Sequence, residues 1–328
     1  MHVDLEKKLH LFISNANGIK KGFPWQEPMA KRLAALIYAL DGKELDANAL
    51  AQNHRMIKEE TGLFSTFRGN LSVYIAAMMA MKANPHERFA EVREVYALLK
   101  AEKFRMSDYL AAAAYEIASQ AKREDYPHIA RRAREFLVGM RANNRWLVCT
   151  DDYIYSAMLA LSDLDVAVGC ERIKHVYDCL KMNFPFTMSR NCLLHLSQIM
   201  VLSDKTERCI ENLIHMNRIL RSHKIRLDRA MILPSLGILS MLPTDPDTLA
   251  DQIFSVTDYI RKQKGFGKLK VSNGEVMMQA VALISDSELA KTALSTAVTN
   301  IIIAQQTAMM VAIIASTSAA ASAAATAG

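Results

Sequence analysis

The chain has 328 residues, of which 51% are hydrophobic and 23% are charged, and it contains only 12 glycines and 8 prolines. A chain of this length buries a large core without disulfides or metal ions, and its apolar content excludes a low-complexity, disordered protein. The scarcity of glycine and proline argues against an all-β protein, which needs many tight turns. A net charge of +6 permits an acidic partner but is too small to require nucleic acid.

The five cysteines are odd in number and form no C-x-x-C pair, which is typical of a reduced, cytoplasmic protein. The chain begins MHVDLEKK, with charges where a signal peptide has an apolar run, so no export signal is expected. We therefore expect the protein to be cytoplasmic.

In chain order, residues 1–30 predict an N-terminal helix with Leu5, Leu9, Phe12 and Ile13 on its apolar face, followed by a turn at residues 23–25. Beyond residue 30, short segments rich in Ala, Leu and Met recur at a step of about 41 residues. These A segments lie at residues 33–40, 74–81, 111–118, 154–161, 195–202, 236–242 and 277–284.

More amphipathic B segments lie between the A segments. The sequence VYALLK at residues 95–100 matches VYDCLK at residues 176–181, and apolar residues around the first of these have helical spacing. A repeat of about 41 residues is typical of HEAT and armadillo proteins. We therefore predict an all-α fold, an α-solenoid-like array of about six to seven antiparallel helix pairs over residues 31–288, within a single domain of residues 1–315.

The C-terminal segment has no charged side chain from residue 292 onward. Residues 294–315 are apolar enough to consider a membrane span, but Asn300, Gln305 and Gln306 are costly in lipid. Because an array must shield the apolar face of its last unit, we predict a capping helix over residues 289–315 and a frayed Ala/Ser-rich tail at 316–328. The alternatives are contact with a membrane or partner, and a true span.

Charges separate along each repeat, with acids in the A-to-B turns and bases after the B helices, which predicts one acidic and one basic edge. Helix dipoles explain most of this pattern. Residues 221–229 and 261–270 contain more bases than helix dipoles explain, and this excess predicts an anion-binding or partner-binding surface. The alternative interpretation is a solvated edge. The residues of the predicted surface are Arg221, Lys224, Arg226, Arg229, Arg261, Lys262, Lys264, Lys268 and Lys270.

One constellation has the residue types and spacing of a zinc site: His175, Cys179, Cys192 and His195. The repeat register argues against it, because Cys179 and His195 occupy positions that are apolar in other repeats. We therefore predict no metal and no other cofactor.

No linear catalytic motif is present, although helical enzymes can assemble sites without one. The Gly265-Phe266-Gly267 segment lacks the ending of a phosphate loop and predicts a helix break. Asp151 and Asp152 precede an A segment, where helix capping accounts for them.

Four features together resemble the bacterial family filed as domain of unknown function 4003. They are Phe67-Arg68-Gly69 before an Ala/Met helix, VYALLK at 95–100, QKGFG at 263–267 and the uncharged Ala-rich end. The resemblance implies no activity or cofactor, and it singles out Arg68 and Lys264 as further partner-binding candidates.

These features predict a non-catalytic helical-repeat protein that binds a protein or peptide partner. The first alternative is a nucleic-acid or other polyanion binder that uses residues 221–229 and 261–270. The second is a helical enzyme with a site in the concave groove of the array.

Overall fold

A computed structural model describes residues 3–19, 23, 28–69, 71–143, 147–184, 190–226, 233–290 and 296–326. These residues form an all-α fold with no strand among them. The turn predicted around Pro24 and Trp25 lies outside the described residues, as does Arg229.

Within the described ranges the helices are α1 (Val3–Gly18), α2 (Pro28–Leu40), α3 (Ala47–Glu59), α4 (Leu71–Ala80), α5 (Pro85–Ala101), α6 (Asp108–Gln120), α7 (Tyr126–Asn143), α8 (Asp152–Leu161), α9 (Val166–Asn183), α10 (Arg190–Met200), α11 (Thr206–Ser222), α12 (Leu233–Ser240), α13 (Pro246–Lys262), α14 (Asn273–Leu289) and α15 (Thr296–Thr326). From α2 to α13, mostly buried helices alternate with helices of equal or greater length that bury only one face. Each predicted A segment overlaps one even-numbered helix, so the predicted all-α class is confirmed.

Burial separates the two helix types into an inner and an outer layer. In α4, every residue from Leu71 to Met79 is buried, and all of α12 is buried. In α5, by contrast, only Phe89, Val92, Val95 and Leu99 are buried. A helix that is apolar all round needs cover on every side, whereas a helix with one apolar stripe can face solvent. The even-numbered helices α2 to α14 therefore lie inside the odd-numbered helices α1 to α13.

The inner helices contact one another in chain order from α2 to α14, and α14 then contacts α2. Helix α1 packs on both α2 and α14, and two ion pairs join the ends: Lys8 with Asp286, and Arg32 with Glu275, whose Nη2–Oε2 distance is 2.8 Å. The expected open array would keep these ends apart. Closing the ring covers both terminal inner helices, which an open row leaves facing water.

Helix α15 lies inside this ring. It contacts α2, α4, α6, α8, α12 and α14, and between residues 301 and 315 only Ile302 is exposed. The capping helix predicted at residues 289–315 would cover only the last unit of an array of helix pairs. The helix instead starts at Thr296, packs against most inner helices and continues to Thr326, beyond the expected start of a frayed tail at 316.

The uncharged sequence of α15 makes this location favourable, because a helix without a polar face is most stable when surrounded by protein. Within the part of the chain that the structure describes, no helix combines the length and apolarity that a membrane crossing requires.

Candidate functional site

Seven of the predicted anion-binding bases lie together where α11 and α13 end. These two outer helices pack side by side, so the turns that follow them lie on one edge of the molecule. We call this surface the basic edge; it consists of Arg221, Lys224, Arg226, Lys262, Lys264, Lys268 and Lys270, all of which are exposed.

Arg261 and Arg68 differ from the other predicted bases because their side chains bind backbone carbonyl groups. Arg261 donates hydrogen bonds to the carbonyls of Phe266 and Val271, at 2.9 and 2.7 Å, and so holds the turn after α13. Arg68 donates to the carbonyls of Lys58 and Thr61 at the end of α3. Both guanidinium groups therefore bind backbone of this chain.

The basic edge also exposes apolar side chains. Leu269, between Lys268 and Lys270, is fully exposed. Phe254 on α13 is 55% exposed, and its ring centroid lies 6.4 Å from that of His223. The surface is thus both cationic and partly apolar.

The four residues of the predicted zinc motif have different surroundings. His175 is exposed, with Nε2 3.0 Å from Oε1 of Glu207 and 3.8 Å from Sγ of Cys179. His195 is buried and faces α8 instead. Among the described residues, the set His175, Cys179, Cys192 and His195 does not form a group able to hold a metal ion.

A different group does come together around His195. We call Asp151, Asp152 and His195 the carboxylate–histidine cluster. The Nε2 atom of His195, on α10, lies 3.5 Å from Oδ2 of Asp151 and 3.7 Å from Oδ1 of Asp152, where α8 begins. One ligand atom from each of the three residues lies within 4.8 Å of the other two.

Neighbouring groups hold this cluster in place. The amide Nε2 of Gln198 donates to Oδ1 of Asp152, and the backbone N–H of Cys149 donates to Oδ2, both at 2.7 Å. The ring of Tyr155 stacks on that of His195, with centroids 4.3 Å apart. Both sides of the Asp152 carboxylate and the plane of the imidazole are therefore fixed.

Burial dominates the electrostatics of Asp152. Loss of solvation raises its pKa, and the charge of Asp151 adds to the increase, whereas His195, Gln198 and the Cys149 N–H oppose it. Burial also raises the pKa of Tyr155.

Helix capping does not account for the Asp151 side chain, because it accepts no capping hydrogen bond at the start of α8. The sequence contained a signal for the cluster: Asp152 and His195 are about one repeat apart, which places them at similar levels of successive inner helices.

Helix α15 packs against the inner helices, where the sequence predicted the concave groove. A cavity of about 420 Å³ lies where α2, α4 and α14 meet α15. Most of its lining is apolar, with Asp41, Lys82, Asp286, Gln305 and Gln306 as polar members.

Comparison with known proteins bears on the family of the chain. No curated protein and no solved structure matches it. The family described as protein of unknown function (DUF4003) matches residues 15–316, which confirms the resemblance drawn from the sequence, and the chain therefore belongs to this family.

Proposed function

We propose that this protein is a non-catalytic interaction protein whose basic edge binds an acidic, partly apolar segment of a protein partner. One observation carries the proposal: seven exposed bases lie in the turns that follow α11 and α13, and a fully exposed leucine stands between two of them in the sequence.

The charge of this edge is unbalanced locally. Residues 221–226 and 261–271 contain eight bases and no acid. Lys262 forms an ion pair with Asp258, whose Oδ2 lies 2.6 Å from the ammonium nitrogen. Like charges held close together repel, so a complementary anionic partner is attracted and its association is accelerated.

The exposed Leu269 favours a protein segment over nucleic acid. A phosphate backbone gains nothing from an aliphatic side chain that contacts no base, whereas an apolar residue of a peptide loses water-exposed area against it. Phe254, beside His223, offers a second exposed apolar side chain.

The helix-pair architecture supports a binding role. Proteins built from helix pairs of about 41 residues commonly present extended binding surfaces. Because α15 occupies much of the space inside the ring, the edges are the surfaces through which we expect a partner to bind.

Fluorescence anisotropy tests the proposal with three labelled probes: an acidic peptide containing leucines, poly-glutamate, and a single-stranded RNA. We expect the leucine-containing peptide to bind most tightly. The combined change Lys264→Glu, Lys268→Glu and Lys270→Glu should weaken its binding at least tenfold. Leu269→Ser should weaken the binding of this peptide and leave the binding of poly-glutamate unchanged.

The matched control reverses three exposed bases elsewhere, Arg131, Lys174 and Arg208, and should leave binding unchanged. Preferred binding of RNA, with a steep dependence on salt and no effect of Leu269→Ser, would instead support the nucleic-acid alternative. Equal loss in the control would show non-specific attraction.

A further inference from the structure

We propose that Asp151, Asp152 and His195 bind one divalent transition-metal ion, with zinc the best match to their donor atoms. This site is independent of the basic edge. An imidazole nitrogen and two carboxylate oxygens form a donor set that zinc accepts, and three protein ligands leave a fourth position for water.

The distances within the carboxylate–histidine cluster fit coordination of one metal ion by all three side chains better than direct hydrogen bonds between them. The Nε2 atom of His195 is 3.5 and 3.7 Å from the two carboxylate oxygens, beyond the usual range of about 2.7–3.2 Å for a hydrogen bond. Ligand atoms about 2.1 Å from a tetrahedral zinc ion lie about 3.4 Å apart. The three side chains therefore need to move little to enclose an ion.

A buried group without a hydrogen-bond partner points into the same space. The His195 side chain is 6% exposed, and its Nε2 makes no hydrogen bond within the described residues. Such a group is costly unless something satisfies it. A metal ion would do so through the Nε2 lone pair of the neutral imidazole.

The surrounding contacts resemble those that orient metal ligands in other proteins. Gln198 and the Cys149 N–H orient Asp152, while Tyr155 fixes the ring plane of His195. Asp151 is the most exposed ligand, with 23% of its side chain accessible, so an ion and its water can enter from that side.

The test uses the full chain, stripped of metal with a chelator and titrated with zinc chloride by calorimetry. We expect one equivalent of zinc to bind, and the thermal midpoint to rise with zinc concentration. Cobalt(II) in place of zinc should give the visible absorption bands of a four- or five-coordinate site.

Two ligand variants and one control identify the site. Asp151→Asn changes a partly exposed ligand and is expected to leave the fold intact, while lowering zinc affinity at least tenfold. His195→Asn should lower it at least a hundredfold and abolish the zinc-dependent rise of the thermal midpoint. His175→Asn removes the exposed histidine of the predicted zinc motif and should leave both readouts unchanged.

Binding of no zinc by the folded wild-type chain would overturn the proposal. An unchanged affinity in folded Asp151→Asn would also overturn it, as would an equal loss in His175→Asn.

Discussion

Glu116 is the most unusual single residue of the inner layer. It lies on α6 with none of its surface exposed, and neither carboxyl oxygen has a hydrogen-bond partner among the described residues. Burial raises its pKa from 4.5 to about 8. The folded protein therefore holds a proton on Glu116 at neutral pH that the unfolded chain releases.

This difference makes stability depend on pH with a defined sign. Between pH 4.5 and about 8 the folded state binds more protons than the unfolded state, so the free energy of unfolding falls as pH rises. The expected slope from this residue is up to about 1.4 kcal/mol per pH unit. Glu116→Gln should remove that slope and make the variant more stable than wild type above pH 8.

Guanidinium denaturation across this pH range measures the effect. Glu135→Gln on α7 replaces an exposed glutamate and should retain the wild-type slope. If Glu116→Gln and wild type gave parallel curves, Glu116 would not be the buried acid responsible.

At the scale of helices, arginines of the outer layer bind the ends of inner helices. Arg88 on α5 donates to the Ala118 carbonyl at 2.9 Å, and Arg172 on α9 donates to the Ser203 carbonyl at 2.8 Å. Arg132 on α7 donates to the carbonyls of Ala160 and Ser162, at 3.1 and 2.8 Å, and to that of Leu164. The last carbonyls of a helix lack partners within it, so these contacts stabilise three successive helix pairs in a similar way.

Arg132→Ala should therefore lower the free energy of unfolding by about 2–3 kcal/mol, because it leaves several carbonyls of the α8 end without a charged donor. Urea denaturation gives this value. Arg131→Ala is the matched control, since Arg131 is the exposed neighbour on the same helix, and a loss of less than about 0.5 kcal/mol is expected for it. Equal losses in the two variants would contradict a specific role for Arg132.

At the scale of the whole molecule, α15 joins parts of the ring that lie far apart in sequence. Asn300 donates to the Leu202 carbonyl and Gln305 to the Ala282 carbonyl, both at 3.1 Å, while Gln306 contacts Gln120 at 3.2 Å. The same three polar residues argued against a membrane span in the sequence, and here they anchor α15 to inner helices.

A chain that ends at residue 290 should aggregate or lose its cooperative unfolding, because the apolar faces of the inner helices would meet water. Size-exclusion chromatography and thermal unfolding report on both properties. A chain that ends at residue 316, where the family match also ends, should stay monodisperse and unfold cooperatively. A soluble 1–290 chain as stable as wild type would show that the ring does not need α15.

Charge in the sequence predicted the basic edge better than it predicted what each base does. Arg261 and Arg68 carry the same charge as Lys264 and Lys268, yet they bind backbone carbonyls. Whether a guanidinium faces solvent or a helix end depends on which carbonyls the fold brings within its reach, and residue type does not encode this.

The sequence by itself determined the all-α class and the position of each inner helix along the chain, because apolar spacing along a helix is a local property of each segment. Short sequence motifs also indicated the family. Only the tertiary structure decided that α14 returns to α2, that α15 lies inside the ring, and that Asp151 and Asp152 meet His195. Ring closure depends on the small rotation between successive helix pairs, which arises from side-chain packing summed over the whole chain. Contacts between residues one repeat apart exist only after that packing is complete.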